Sequence, residues 1–129
     1  KLAPTNSVGL RFTTGYGPNA REHMFIPKLL TRNVKYINTN HTRDFIHVDD
    51  ICDAILKVLN SDVIGVMDVG TGDSNSLVDI VNHVGLKNIE HRVGDENERL
   101  DNKADIKSLM SIGWKPKIKL YDYLDRHYG

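Results

Sequence analysis

The stretch RDFIHVDDICDAI, residues 43–55, places a short strand directly before a helix. The adjacent Phe45 and Ile46, an aromatic and a β-branched side chain, predict a short β-strand over residues 44–47. Asp49 or Asp50 is predicted to cap the helix that follows, because a carboxylate at a helix start meets free N–H groups and the positive end of the helix dipole. The apolar side chains then recur at helical spacing. This predicts a helix that ends between positions 60 and 65, with one apolar face formed by Ile51, Ile55, Val58 and Leu59.

Strands and helices alternate along the rest of the chain, separated by clusters of Gly, Asn, Asp and Ser. The run at 34–37 could pair with the strand at 44–47 as a hairpin, or the two could lie apart. Ser76 and Asp79 have the spacing of a capping box at a helix start. We expect an α/β fold with further strands at 8–12, 66–69 and 89–93, and helices at 22–31, 76–85, 103–111 and 120–127.

The composition argues against several classes of function. The 129 residues carry 17 basic and 17 acidic side chains, so no net field favours a nucleic acid or an anionic membrane as partner. The longest apolar stretches are interrupted by charges and are too short to span a bilayer. The spacing of the six histidines is not that of a metal site, so we expect no metal. Cys52 is the only cysteine, which fits the reducing cytoplasm, and we expect it to be a small core residue.

Several separated blocks carry a family resemblance. They are LRFTTGYGP at 10–18, DVGTGDS at 68–74, RVGD at 92–95, AD at 104–105 and GWKPK at 113–117. With the stretch RDFIHVDD they resemble, in the same order, the conserved blocks of the NAD-dependent epimerase/dehydratase family, the extended short-chain dehydrogenases that act on nucleotide sugars. Arg21 and Met24, after Gly17 and Pro18, are similar to a segment of the UDP-glucuronate and UDP-glucose 4-epimerases.

The resemblance implies the C-terminal portion of such an enzyme, as a single domain over residues 1–129. This portion is the substrate-binding lobe with the last strands of the Rossmann sheet, mixed sheet elements and about five helices. In the family, NAD lies on an N-terminal G-x-x-G-x-x-G turn, and a Tyr-x-x-x-Lys pair moves protons. Neither pattern occurs in this sequence. We therefore expect the fragment to bind no NAD by itself and to be inactive alone.

The resemblance also implies contacts to a nucleotide diphosphate. Arg43 and Arg92 match the family's positions for this contact, and a guanidinium can donate two parallel hydrogen bonds to a phosphate. Asp95 matches an acid that accepts from the ribose hydroxyls, and Arg99 lies where relatives place a contact to the sugar. The alternative is an exposed side chain in a surface ion pair, which for Arg43 would involve a neighbouring aspartate.

The loop after the first strand supplies further expected contacts. Thr14 stands where many relatives have an Asn that binds the sugar-phosphate end of the substrate, but a hydroxyl cannot replace both the donor and the acceptor of an amide. Tyr16 is expected to line the same pocket or to pack the turn. Phe12 and Thr13 match positions that approach the nicotinamide of NAD in relatives, with a core position as the alternative for Phe12.

Two functions stay open from the sequence. The first is the substrate-binding portion of an NAD-dependent nucleotide-sugar 4-epimerase or dehydratase, with a UDP-sugar as the favoured ligand. The second is a free-standing, non-catalytic module that binds a nucleotide sugar or presents an interaction surface. In either case, a sheet edge or an apolar helix face left without neighbouring Rossmann strands favours a homodimer.

Overall fold

The computed structural model describes residues 7–95 and 100–128, which form eight strands and five helices in an α/β arrangement. The strands are β1 (Val8–Phe12), β2 (Thr14–Tyr16), β3 (Tyr36–Asn38), β4 (Thr42–Arg43), β5 (Phe45–His47), β6 (Gly65–Val69), β7 (Asn75–Ser76) and β8 (Glu90–Arg92). The helices are α1 (Phe25–Leu30), α2 (Val48–Leu59), α3 (Leu77–Val84), α4 (Lys107–Ser111) and α5 (Leu120–His127). The predicted fold class is therefore confirmed.

The strands pair two by two, and most of the pairs are parallel. β1 pairs with β6, β2 with β5 and β3 with β8 in parallel, whereas β4 and β7 are antiparallel. Parallel strands require a crossover connection rather than a tight turn. The two runs that could have formed a hairpin lie apart, because Ile37 pairs with His91 and Ile46 pairs with Gly15.

The strand β5 joins two apolar cores. All three of its residues are buried, and successive side chains point to opposite faces of the strand. Phe45 lies in the first core with Tyr16 and Leu124, which comes from α5. Ile46 lies in the second core with Val69 and Trp114. The stretch at 43–55 thus contributes to both cores before the chain enters α2.

The helix α2 spans the predicted region, and its buried side only partly matches the predicted face, because Val58 is buried and Ile51 and Ile55 are half-buried. Asp50, Ala54 and Val58 are its buried residues, whereas Leu59 is 73% exposed. Cys52 is exposed, so the expectation that it packs in the core is wrong. It lies two residues from Asp50, about 200° around the helix, and so faces away from the protein.

The cap of α2 also differs from the prediction. His47 occupies the cap position, and its Nδ1 atom accepts a hydrogen bond from the Asp49 N–H at 3.0 Å. Ser76 does take the cap position of α3, but its side chain makes no capping hydrogen bond. The predicted end of α3 is confirmed, because Gly85 adopts the left-handed conformation with φ of 75°.

Asp50 holds the segment that leads into α5. Its carboxylate accepts hydrogen bonds from the Lys117 N–H at 3.1 and 3.2 Å and from the Ile118 N–H at 3.0 Å. The indole N–H of Trp114 donates to the backbone carbonyl of Asp50 at 3.1 Å. A carboxylate that the sequence places at a helix start therefore binds backbone N–H groups more than 60 residues away.

Several large apolar side chains stay exposed near the end of α2 and on β6. They are Leu56, Leu59, Ile64 and Val66, which are 57%, 73%, 62% and 61% exposed. Association of two copies through this apolar surface stays a prediction.

None of the helices among the described residues has the length and apolar character needed to cross a bilayer.

The hydroxyl of Tyr16 is buried and has no hydrogen-bond partner among the described residues. Burial, together with the charge of Asp50, raises the pKa of Tyr16 well above its ordinary value. Because a buried hydroxyl without a partner keeps its desolvation penalty, we expect Tyr16→Phe to increase the free energy of unfolding by about 1 kcal/mol. Urea denaturation measures this. Tyr36→Phe is the control, since Tyr36 is 46% exposed and should change stability little. A less stable Tyr16→Phe protein would contradict the prediction.

Candidate functional site

A cleft of about 310 Å³ opens where β1 and β6 end, and we term it the strand-end cleft. Phe12 and Thr13 line it from the end of β1, and Arg43 lines it from β4. Asn102 and Lys103, which precede α4, complete the wall. The carboxyl ends of parallel strands are the usual ligand-binding edge of an α/β sheet. The structure thus brings together three residues that the sequence singled out.

Asp44 fixes the backbone around this cleft. Its side chain is completely buried. Oδ1 accepts hydrogen bonds from the Thr71 N–H at 2.9 Å and the Thr71 hydroxyl at 2.6 Å. Oδ2 accepts from the Gly72 N–H at 2.9 Å and the Ala104 N–H at 3.1 Å. One carboxylate therefore joins three of the sequence blocks on which the resemblance rests.

Gly70 is required by this close packing. A Cβ atom at Gly70 would lie 2.7 Å from Cβ of Ala104, 2.7 Å from Cγ2 of Thr13 and 2.8 Å from Oδ2 of Asp44. No real side chain tolerates such contacts. A glycine is therefore needed at position 70, because the segments that carry Thr13, Asp44 and Ala104 all pack closely against it.

Arg43 is held by backbone carbonyls rather than by an acidic side chain. Its Nη1 atom donates to the Thr42 carbonyl at 2.7 Å and to the Leu100 carbonyl at 3.0 Å. Its other guanidinium nitrogens donate no hydrogen bond to a described residue. Because a guanidinium has five N–H groups in a planar fork, Arg43 keeps donors for an oxyanion in the strand-end cleft.

Asn102 is a site residue that the sequence analysis missed. Its Oδ1 accepts from the Asp44 N–H at 2.7 Å, and its Nδ2 donates to Oγ1 of Thr14 at 2.9 Å. Asn102 lines the strand-end cleft, whereas Thr14 does not. The side-chain amide at this cleft is therefore that of Asn102, whereas the family pattern has an Asn at position 14. The only sequence signal near Asn102 is the block at 104–105, which begins two residues further along the chain.

A larger cleft of about 620 Å³ lies beside β3 and β8, and we term it the tyrosine cleft. Tyr36 and Phe25 give it two aromatic surfaces, and Asn38 and Lys28 add polar groups. The guanidinium of Arg92 lies over the Tyr36 ring, 3.9 Å from its centroid. Arg92 also pairs with the exposed carboxylate of Glu90. This cleft combines aromatic faces with positive charge.

The structure does not gather the predicted contact residues at one point. Arg43 and Arg92 line different clefts, so the structure does not bring them to one point. Tyr16 lies in the first core, with its ring edge-on to His47 at 5.3 Å. Asp95 is exposed on the segment after β8. Arg99 lies outside the described residues.

The comparisons with known proteins agree on one family. Residues 3–70 match the sequence profile of the NAD dependent epimerase/dehydratase family. The chain is 31% identical over 115 residues to a putative UDP-glucose 4-epimerase of Methanocaldococcus jannaschii, covering 80% of this chain and 36% of that protein. It is 32% identical over 111 residues to dTDP-L-rhamnose 4-epimerase of Burkholderia thailandensis, and this match covers 78% of this chain and 28% of that protein.

A solved epimerase structure is also similar to this chain. The fold superimposes with a TM-score of 0.76 on UDP-glucuronic acid 4-epimerase from Bacillus cereus, solved in complex with UDP-glucuronic acid and NAD. The identity is 25%, and the match covers 92% of this chain and 43% of that chain. The chain therefore spans less than half the length of each of these relatives.

Because Asp44 is buried with all its acceptors directed at donors, we expect Asp44→Asn to lower the free energy of unfolding by about 2–4 kcal/mol. The amide has one acceptor oxygen, so its NH2 group would face N–H donors that lose their partner. Chemical denaturation measures the effect. Asp62→Asn, at an exposed aspartate, is the matched control and should change stability by less than about 0.5 kcal/mol. Equal stability of the two variants would show that the Asp44 network does not hold the fold.

The hydrogen bond from Ser74 lowers the pKa of Asp101, with a further contribution from Thr42. Such a carboxylate stabilises the folded state above its unfolded pKa, and this contribution is lost as the pH falls through the lower, folded pKa. We expect Ser74→Ala to raise the pKa of Asp101 toward the ordinary value of about 3.9. Carboxyl NMR titration measures it, with Ser108→Ala as the control. An unchanged titration in Ser74→Ala would exclude this cause.

Proposed function

Since the chain belongs to the NAD-dependent epimerase/dehydratase family, we propose that it is the part of a nucleotide-sugar 4-epimerase or dehydratase that binds the substrate. The observation that carries the proposal is the tyrosine cleft, where the Arg92 guanidinium lies 3.9 Å from the centroid of the Tyr36 ring. An aromatic face suits a nucleobase, and a guanidinium suits a diphosphate. The volume of about 620 Å³ is in the usual range for small-molecule sites.

The strands β3 and β4 follow each other closely in the sequence and each lines one of the two clefts, which supports one ligand that occupies both. Asn38 at the end of β3 lines the tyrosine cleft, and Arg43 in β4 lines the strand-end cleft. In our proposal the nucleoside lies in the tyrosine cleft, the sugar lies in the strand-end cleft, and the diphosphate lies between Arg92 and Arg43. Asn102 then offers its amide to the sugar.

The strand-end cleft also fits one end of the cofactor. Phe12 is 50% exposed at the end of β1, and Thr13 follows it on the cleft wall, so the two would contact the nicotinamide end of NAD in a larger enzyme. When bound, NAD accepts a hydride from the sugar and returns it. The chain's own residues bind and orient the substrate.

The sequence has no Tyr-x-x-x-Lys pair to move the protons. The second candidate is a free-standing module that binds a nucleotide sugar without catalysis. Both candidates need the same two clefts. The solved relative in complex with UDP-glucuronic acid supports a UDP-sugar as the ligand.

Calorimetric titration with UDP tests the proposal. If Arg92 and Arg43 contact the diphosphate, Arg92→Ala and Arg43→Ala should each weaken binding by roughly 1.5–3 kcal/mol, which is tenfold or more. Arg21→Ala is the matched control, because Arg21 is an exposed arginine outside both clefts and should bind UDP as the parent does. Equal heats from the parent and both cleft variants would refute the assignment.

A further inference from the structure

A third cleft, of about 330 Å³, lies between the start of α2 and the helix α5, and we term it the helix-start cleft. His47 and Asp49 line it from α2, and Lys119, Asp122 and Arg126 line it from the α5 side. None of the lining residues of the tyrosine cleft or the strand-end cleft belongs to it. The substrate proposed above therefore leaves this cleft unused.

His47 presents one fixed donor at this cleft. Its side chain is only 6% exposed. Nδ1 accepts from the Asp49 N–H, so the proton of the neutral ring is on Nε2. The rings of Tyr16 and Tyr123 pack edge-on against the imidazole at 5.3 and 5.2 Å and hold its orientation. The Nε2–H group donates to no acceptor among the described residues. The His47 side chain is therefore held in place while its Nε2–H group can donate to an acceptor bound in the cleft.

The surroundings of this donor favour an anion as that acceptor. Lys119 and Arg126 line the cleft, and their side chains form no ion pair or hydrogen bond with a described residue. The twelve-residue helix α2 starts at Val48, and the positive end of its dipole adds to the field. A phosphate group can accept from all of these donors at once.

Two carboxylates also line the cleft, one from each helix. Asp49 lies in the first turn of α2 and Asp122 in the first turn of α5, and the cations Lys117, Lys119 and Arg126 line the same cleft. With neutral histidines the formal charge of these five groups is +1, and Nζ of Lys117 also lies 3.8 Å from Oδ2 of Asp53. A bare phosphate uses only the cations and His47. Carboxylates are acceptors, so Asp49 and Asp122 need a ligand with hydroxyl donors.

We propose that the helix-start cleft is a second ligand site, which binds a sugar phosphate. The phosphate accepts from Nε2 of His47 and from Lys119 and Arg126, and the sugar hydroxyls donate to Asp49 and Asp122. The volume of about 330 Å³ accommodates a phosphorylated monosaccharide. Because the site is separate from the two substrate clefts, its ligand binds independently of the nucleotide.

Calorimetric titration of the 129-residue chain with glucose 6-phosphate at low ionic strength tests this site. We expect saturable binding that Arg126→Gln weakens about tenfold, because a charge-assisted contact is lost from an exposed residue. Lys57→Gln is the matched control: Lys57 is an exposed cation near the other end of α2 and should bind within twofold of the parent. His47→Asn keeps a capping acceptor for the Asp49 N–H, removes Nε2, and should weaken binding like Arg126→Gln.

Three results would overturn the proposal. The first is the absence of saturable binding of glucose 6-phosphate by the parent. The second is equal affinity of Arg126→Gln and the parent. The third is binding of inorganic phosphate as tight as that of glucose 6-phosphate, which would remove the role of the carboxylates. Arg92→Ala separates the two sites, because it should weaken UDP binding and leave glucose 6-phosphate binding unchanged.

Discussion

The rest of the structure depends on the buried carboxylate of Asp44. Removing a charge from water is unfavourable by several kcal/mol unless hydrogen bonds replace the lost hydration. Four donors do so here, and all come from Thr71, Gly72 and Ala104, which are 27 to 60 residues away in the sequence. The hydrogen bonds that replace the lost hydration form only if these segments converge on the carboxylate. One side chain thereby fixes the relative positions of the strand β5, the turn after β6 and the segment before α4.

Asp50 has the same role on the other side of β5. It binds the N–H groups of Lys117 and Ile118 and so places the residues that start α5. Two of the three clefts lie along the segments that these two acids hold. The strand-end cleft has Asn102, bound to the Asp44 N–H, in its wall, and the helix-start cleft has Lys119, the residue after Ile118. Burying two acids six residues apart therefore helps to position the strand-end cleft and the helix-start cleft.

The same acids explain what the sequence could and could not predict. Local patterns identified the five helices and five of the eight strands but not the short strands β2, β4 and β7, and α5 spans the predicted range of 120–127. The apolar pattern of α2 correctly placed Val58 inward but missed Asp50, because hydrogen bonds to a distant segment draw Asp50 into the protein. Asn102 was missed for a similar reason, since its position depends on a backbone group 58 residues away. Phe12, Thr13 and Arg43 were found because their blocks are contiguous in sequence.

The arrangement of the two arginines is consistent with their proposed task. Two carbonyls already order the Arg43 guanidinium, so a bound phosphate needs little further loss of side-chain entropy there. Arg92 is held over the Tyr36 ring and paired with Glu90, and both members of that pair are more than half exposed. An exposed pair contributes about 0–1 kcal/mol, whereas a charge-assisted contact to a diphosphate contributes about 1.5–3 kcal/mol. In the proposed complex the diphosphate would displace Glu90 from Arg92, and the register of β3 with β8 would keep Arg92 beside Asn38.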